Sequence, residues 1–382
     1  MAQQDGPGVL SGLRIADFSR VLAGPYATMM LADFGADVIK VEPPGGDETR
    51  GWVPPVDGRG ESAYFGAVNR NKRSLTLDLH DAAQRQRARA LVASADVVVD
   101  NFRPGVMARF GLDHETLRQA DPRLISCTIT GFGEASALPG YDVLVQAVGG
   151  LMSITGHPDA EPAKVGVALV DVLSGQNAVA GILLALRERD RTGRGQHVQI
   201  SLLQSLLSAL TNQAASVLAG GPVPGRLGNA HPSIAPYAVF PAADRDLVIA
   251  VGNDRQHRAL CGVVGIDPED PRFRDNESRV RNRAALTRLL EHALQADPAA
   301  SWVARLSAVG VPAGLVNDIG EALRLADRLG LAPVVTTGGV RSVSNPIGLR
   351  DSPARYDRPP PQEGEHADAR WERSVPARGE RT

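Results

Sequence analysis

The chain has 382 residues, 43% of them apolar and 22% charged, the balance of a globular protein rather than a disordered one. Its length makes two domains the prior expectation. With 41 basic against 43 acidic residues the net charge is −2, so no global positive field recruits nucleic acid or an anionic membrane.

Aromatics make up only 4% of the chain, whereas glycine and proline number 40 and 27, which predicts an aliphatic core and many turns. Two cysteines, Cys127 and Cys261, are too few for a disulfide framework or a four-cysteine zinc site. Both sit in apolar stretches and read as buried, inert thiols. The N-terminus lacks a basic start followed by an apolar run, so no secretory signal is expected. Apolar stretches are interrupted short of the ~18 residues a membrane span needs. A soluble chain in the reducing cytoplasm, with no membrane partner, is the resulting expectation.

Residues 13–18 (LRIADF) read as the first strand. Gly24-Pro25 opens a helix, since proline's fixed φ suits a first turn, and Gly35 ends it. Strands are expected at 37–41, 95–99 and 124–129, with a helix over 80–93. Alternating β and α elements at this spacing predict an α/β fold with a parallel sheet covered by helices. After Asp171 a helix rich in small residues is expected, then a strand at 198–201 and one further helix over 202–219. Small side chains let backbones approach closely, which suits deep packing or a subunit interface. GGPVPGRLGN at 220–229 reads as a linker. Beyond it, strands near 247–251 and 313–316 and helices at 254–264, 281–295 and 299–308 predict a smaller α+β unit. The polar, proline-rich final thirty residues read as an extended or mobile tail.

The common signatures are missing. No GxxxxGK[ST] occurs and no GxGxxG follows the first strand, which removes the main support for a nucleoside triphosphate or NAD. Eight histidines show no HExxH and no i,i+4 pair, so no metal site is expected, and no GxSxG elbow occurs. One carboxylate stands out. Asp171 follows the strand-like run VGVALV and precedes the small-residue helix. There it serves either as a simple N-cap or as a nucleophile held in the field of the helix dipole.

The stretch LSGLRIADFSRVLAGPYATMMLADFGADVIKVEPPGGDETR resembles the opening of the family III CoA-transferases (the CaiB/BaiF type), which include formyl-CoA and carnitine CoA-transferases. The resemblance continues through NRNKRSLTLDL, DNFRPGVMARFGL, DPRLISCTITGFG, GYDVLVQAVGG and the segment from ALVDVLSGQ to RTGRGQHVQISL. It is dense over residues 10–205 and resumes at GNAHPSIAPYAVF, VGNDRQ and VPAGLVND.

This resemblance implies a Rossmann-like large domain, residues 1–225 completed by about 326–382, and a small domain at 226–325. It also implies an interlocked homodimer and a CoA thioester as substrate, with no tightly bound cofactor. Asp171 in VDVLSG matches the family's nucleophile, which attacks an acyl-CoA to give a mixed anhydride and then an aspartyl-CoA thioester. A carboxylic acid accepts the CoA. Asn101, Phe102 and Arg103 match the CoA-lining segment, Arg109 a phosphate contact, and Leu77 to His80 a segment beside the adenine. Lys72 and Arg73 are nearby cations that could assist, and each of these charges could equally be a solvated one. Tyr141 and Asp142 match active-site positions, or else form the turn that starts a helix.

Three departures argue against formyl-CoA and oxalate as substrates: Pro43 where some members carry arginine, Leu22 where formyl-CoA transferase has glutamine, and GRLGNAHPSIAPY in place of a flexible glycine run. GNAHPSIAPY looks closer to members that use succinyl-CoA and dicarboxylates. An acyl-CoA racemase is the alternative within the fold. It is disfavoured because Tyr141 stands where that branch has its catalytic histidine, and a phenol is a weak base near neutral pH. A non-catalytic CoA-binding protein is the alternative outside enzymology.

Overall fold

A computed structural model describes residues 8–371 of the chain. Two compact units make it up. The larger comprises the chain up to Gly149, Val165–Ala215 and the stretch from Ala332 onward, and the smaller comprises Gly150–Lys164 and Ser216–Leu331. The divisions thus fall at 215 and 332 rather than at 225 and 326, and the segment 150–164 goes with the smaller unit.

The larger unit opens with β1 (Arg14–Asp17), α1 (Ala23–Ala32), β2 (Asp37–Glu42), β3 (Lys72–Thr76), α2 (Ala82–Val92) and β4 (Val97–Asp100). Next come α3 (Val106–Phe110), α4 (His114–Ala120), β5 (Ile125–Thr130), α5 (Asp142–Val148), α6 (Leu169–Thr192) and β6 (His197–Ser201). Six parallel strands form one sheet in the order β3-β2-β1-β4-β5-β6. The order reverses direction between β1 and β4. Loops leaving their carboxyl ends therefore run apart and open a crevice, the usual ligand position of a doubly wound sheet.

β3 is an unexpected strand. Its opening Lys72 and Arg73 read as cations near the CoA or as solvated charges, yet both residues are buried. The Lys72 ammonium lies 3.0 Å from Asp17 and also donates to the Pro25 carbonyl and Asn69. Arg73 forks onto Asp37 at 2.6 and 2.7 Å and donates to the Arg370 carbonyl. Charged strand residues tolerate burial here because each is paired and hydrogen-bonded.

α6 holds the unit together. Val170, Ser174, Ala178, Ile182 and Ala185 recur at helical spacing and are fully buried, against α1, β5 and β6. A Cβ on Gly175 would lie 2.7 Å from the Ala23 carbonyl oxygen, so glycine is what lets α6 close on α1. With 24 residues, α6 is long and apolar enough to cross a membrane by length and composition, contrary to the expectation of interrupted runs. Gly193, at φ 72°, ends it.

The single helix expected over 202–219 is two, α7 (Leu202–Ala209) and α8 (Thr211–Leu218), parted where Thr211 takes φ 37°. In the smaller unit β7 (Tyr237–Pro241), β8 (Asp246–Ala250) and β9 (Ala313–Leu315) form an antiparallel sheet. They pack with α9 (Asp254–Val264), α10 (Arg283–Leu294) and α11 (Ala299–Ala308) around Phe240, Phe273 and Trp302.

The expected tail, where described, is extended but anchored. The Ser74 carbonyl of β3 accepts from His366 N at 2.9 Å, and the Trp371 indole donates to Ser94 Oγ at 2.9 Å. Residues 372–382 of that tail lie outside the described residues. Both cysteines are free and buried.

Candidate active site

The crevice at the strand-order reversal is lined by Ala23 from α1, Asn101 to Pro104 after β4, Thr130 at the end of β5 with Gly131 after it, and Asp171. Its walls are set by backbone approach. A Cβ on Gly131 would stand 2.4 Å from the Gly140 Cα, so two glycines pinch the 131–140 loop shut at its base.

Asp171 is the third residue of α6 and not its N-cap. No strand precedes it, because residues 165–168 run into the helix without sheet pairing. The capping is done from elsewhere. Asp142 Oδ2 accepts from Val170 N at 2.8 Å and from Asp171 N at 3.2 Å, taking two of the N–H groups a helix start leaves unpaired. Gln146 holds the other Asp142 oxygen at 2.5 Å. The Asp171 carboxyl is thereby released from capping. Burial, and secondarily the neighbouring Asp142 charge, push its pKa up to about 7. Tyr64 shares this electronegative corner: burial first, then Asp171, Asp142 and Asp47, push its phenol up to about 12.

Of the residues singled out in the sequence, Asp171, Asn101, Phe102 and Arg103 meet at this crevice. Asn101 is not free, however. Its side-chain oxygen accepts from Arg20 N at 2.9 Å and its amide donates to Arg20 O at 2.8 Å, clamping the β1–α1 loop to the β4 loop. Arg103 is exposed at the rim. Arg109 lies in the last turn of α3, also exposed, and His80 packs edge-on to Phe110 at 5.4 Å. Tyr141 is 60% exposed and precedes the capping Asp142.

Two expected CoA contacts need correction. Lys72 is enclosed, its ammonium committed to Asp17, and has no surface to offer a phosphate. Leu77 is 2% exposed, its side chain within the core cluster around Leu75 and Val98. Arg73 is committed to Asp37 in the same way as Lys72 is to Asp17. Arg20, not singled out in the sequence, lies beside the crevice residue Phe102, its guanidinium 5.0 Å from the centroid of that ring. A cation immediately after the first strand is the signal that could have marked it.

The sequence profile described as CoA-transferase family III matches residues 10–367. The chain belongs to that family. It is 43% identical over 380 residues to the succinate–glutarate CoA-transferase of Agrobacterium fabrum, covering 94% of this chain and 93% of that protein. It is 41% identical over 360 residues to the acetyl-CoA:oxalate CoA-transferase of Acetobacter aceti, with 92% of each chain covered. Among solved structures, a CAIB/BAIF family protein from Brucella suis superposes with a TM-score of 0.86 at 42% identity, covering 95% of this chain and 98% of that one. This family III chain is therefore a CoA-transferase enzyme, its α/β architecture shared with family members of known structure.

Proposed function

We propose that this enzyme moves CoA from succinyl-CoA to a dicarboxylic acid, with Asp171 as nucleophile. The observation that carries the reading is a partly buried carboxyl at the sheet's crevice, relieved of capping by Asp142 and ionising near pH 7. Such a group is ionised in part at neutral pH and is a stronger nucleophile than an ordinary carboxylate.

In the proposed sequence, the Asp171 carboxylate attacks the thioester carbonyl and the C–S bond breaks, giving a mixed anhydride and CoA thiolate. The thiolate attacks the Asp171 carbonyl carbon and expels the donor acid, leaving an aspartyl-CoA thioester. An acceptor carboxylate then attacks that thioester, and the thiolate it releases takes the acceptor acyl group and frees Asp171. Arg103 and Arg109 supply local positive charge for the CoA phosphates. The choice of dicarboxylate rests on the names of two relatives, one acting on succinate and glutarate and one on oxalate. An interlocked homodimer in the cytoplasm belongs to the same proposal. Leu183 and Leu184 of α6 and Leu207 of α7, exposed by 41%, 71% and 48%, are apolar positions that a second copy would cover.

The test is a screen of succinyl-, acetyl- and formyl-CoA against glutarate, oxalate and monocarboxylates, with Asp171→Ala as control. Succinyl-CoA alone should leave a hydroxylamine-sensitive acyl group on Asp171. Transfer by Asp171→Ala at the wild-type rate would remove Asp171 from the reaction, and preference for a monocarboxylate acceptor would remove the dicarboxylate reading.

A further inference from the structure

Behind Phe102 and Arg103 lies a second cavity, sharing those residues with the Asp171 crevice and floored by Asp100, Ser126 and Thr128. Sheet register explains its polarity. Val98, Ser126 and His197 form one row across β4, β5 and β6, and Asp100, Thr128 and Gln199 form the next row on the same face. His114 from the first turn of α4 and Glu134 from the loop after β5 close over them.

We propose that His114, Glu134 and His197 form a binding site for a divalent transition cation of the zinc class. One ligand atom from each lies within 4.8 Å of the other two, the only such group of three among the described residues. Their spacing along the chain matches no local metal motif, so the group is visible only in the fold. Two imidazoles and a carboxylate are a donor set that suits zinc and its neighbours.

The outer contacts are those a metal site needs. Ser126 Oγ lies 2.8 Å from His197 Nδ1 and fixes that ring, leaving Nε2 directed at Glu134 Oε1, 2.7 Å away. Gln199 donates to the other Glu134 oxygen at 2.6 Å. Such second contacts orient a ligand and tune its basicity. His114 and His197 stack with 4.1 Å between centroids and 7° between planes. His114, partly exposed in the first turn of α4, turns about its Cβ–Cγ bond to aim at an ion shared with His197. The ion replaces the His197–Glu134 hydrogen bond, and its remaining position faces the cavity.

The same contacts, read as Glu134–His197–Ser126, superficially imitate a hydrolytic triad. Ser126, though, is buried, the second residue of β5. Its N–H donates to Gln196 O, and β5 lies between two paired strands, so no free N–H groups remain to form an oxyanion hole.

Tag-free, chelator-stripped full-length protein is titrated with Zn2+ by competition against a chromophoric chelator, and with Co2+ by absorbance. Wild type should bind one Zn2+ per chain at micromolar concentration. His114→Ala and Glu134→Gln should each weaken binding at least tenfold and abolish the tetrahedral Co2+ band, with circular dichroism unchanged. No binding by wild type at micromolar Zn2+, or a smaller loss in either folded variant, overturns the proposal. Asp171 takes no part in this site, so the result is independent of the transfer chemistry.

Discussion

Replacing Asp171 with asparagine should make the protein more stable in a way that depends on pH. The folded carboxyl ionises near pH 7, and its ordinary value is 3.8. An acid whose folded pKa is raised destabilises the fold when it ionises: the penalty is absent below 3.8, grows as pH rises towards 7, and is then constant. Taken at face value the displacement corresponds to ~4 kcal/mol. The carboxyl is partly exposed, and solvent screening reduces that to ~1–2 kcal/mol at pH 8. Asparagine keeps the shape and carries no charge, so Asp171→Asn should gain that amount at pH 8 and almost nothing at pH 4. Urea unfolding of both proteins across this range measures the difference, alongside loss of transfer activity. A variant no more stable than wild type at pH 8, or one whose advantage grows on acidification, would refute the argument that burial and Asp142 hold this carboxyl at a thermodynamic cost.

Further expectations concern its surroundings. Asp142→Asn keeps an oxygen at the start of α6 and removes a charge, so the acid limb of the pH–rate profile should move to lower pH. Asp142→Ala should in addition cost ~1 kcal/mol of stability, read from urea midpoints, because two helix N–H groups lose their acceptor. Gly175→Ala forces a methyl to within 2.7 Å of the Ala23 carbonyl oxygen and should cost ~1–3 kcal/mol by thermal unfolding. Lys72→Ala leaves Asp17 buried without its partner and should cost ~3–5 kcal/mol, whereas Arg103→Ala should leave stability within ~0.5 kcal/mol and raise KM for the CoA thioester.

What could be read in advance follows from how locally each feature is encoded. Strands β1, β2, β4 and β5 are apolar runs bounded by turn residues, and their alternation with helices is visible without any coordinates. β3 was hidden because its first two side chains are cationic, and only the distant Asp17 and Asp37 show that they can be buried. The family resemblance implies a nucleophile at Asp171, but the place of that residue within the helix is not legible from it. Its position before a helix reads first as a simple N-cap, and the residue that caps the helix instead, Asp142, lies 29 residues earlier. Asn101 lines the crevice, and its clamp on Arg20 depends on the register of β1 beside β4. Lys72 misled for the opposite reason: a lysine near a phosphate site invites an electrostatic role until its burial is known.

The tail that returns to β3 has a consequence for synthesis. β3 ends the six-stranded sheet, and Ser74 gives both its N–H and its carbonyl to His366. Until the segment around His366 has been synthesised that edge lacks this cover, and an uncovered strand edge invites pairing with other chains. The smaller unit, whose last residue is Leu331, has its whole sequence available before the larger one does. The larger unit thus finishes folding only once the segment around His366 has been made, and a chain cut a few residues before His366 keeps a sticky sheet edge.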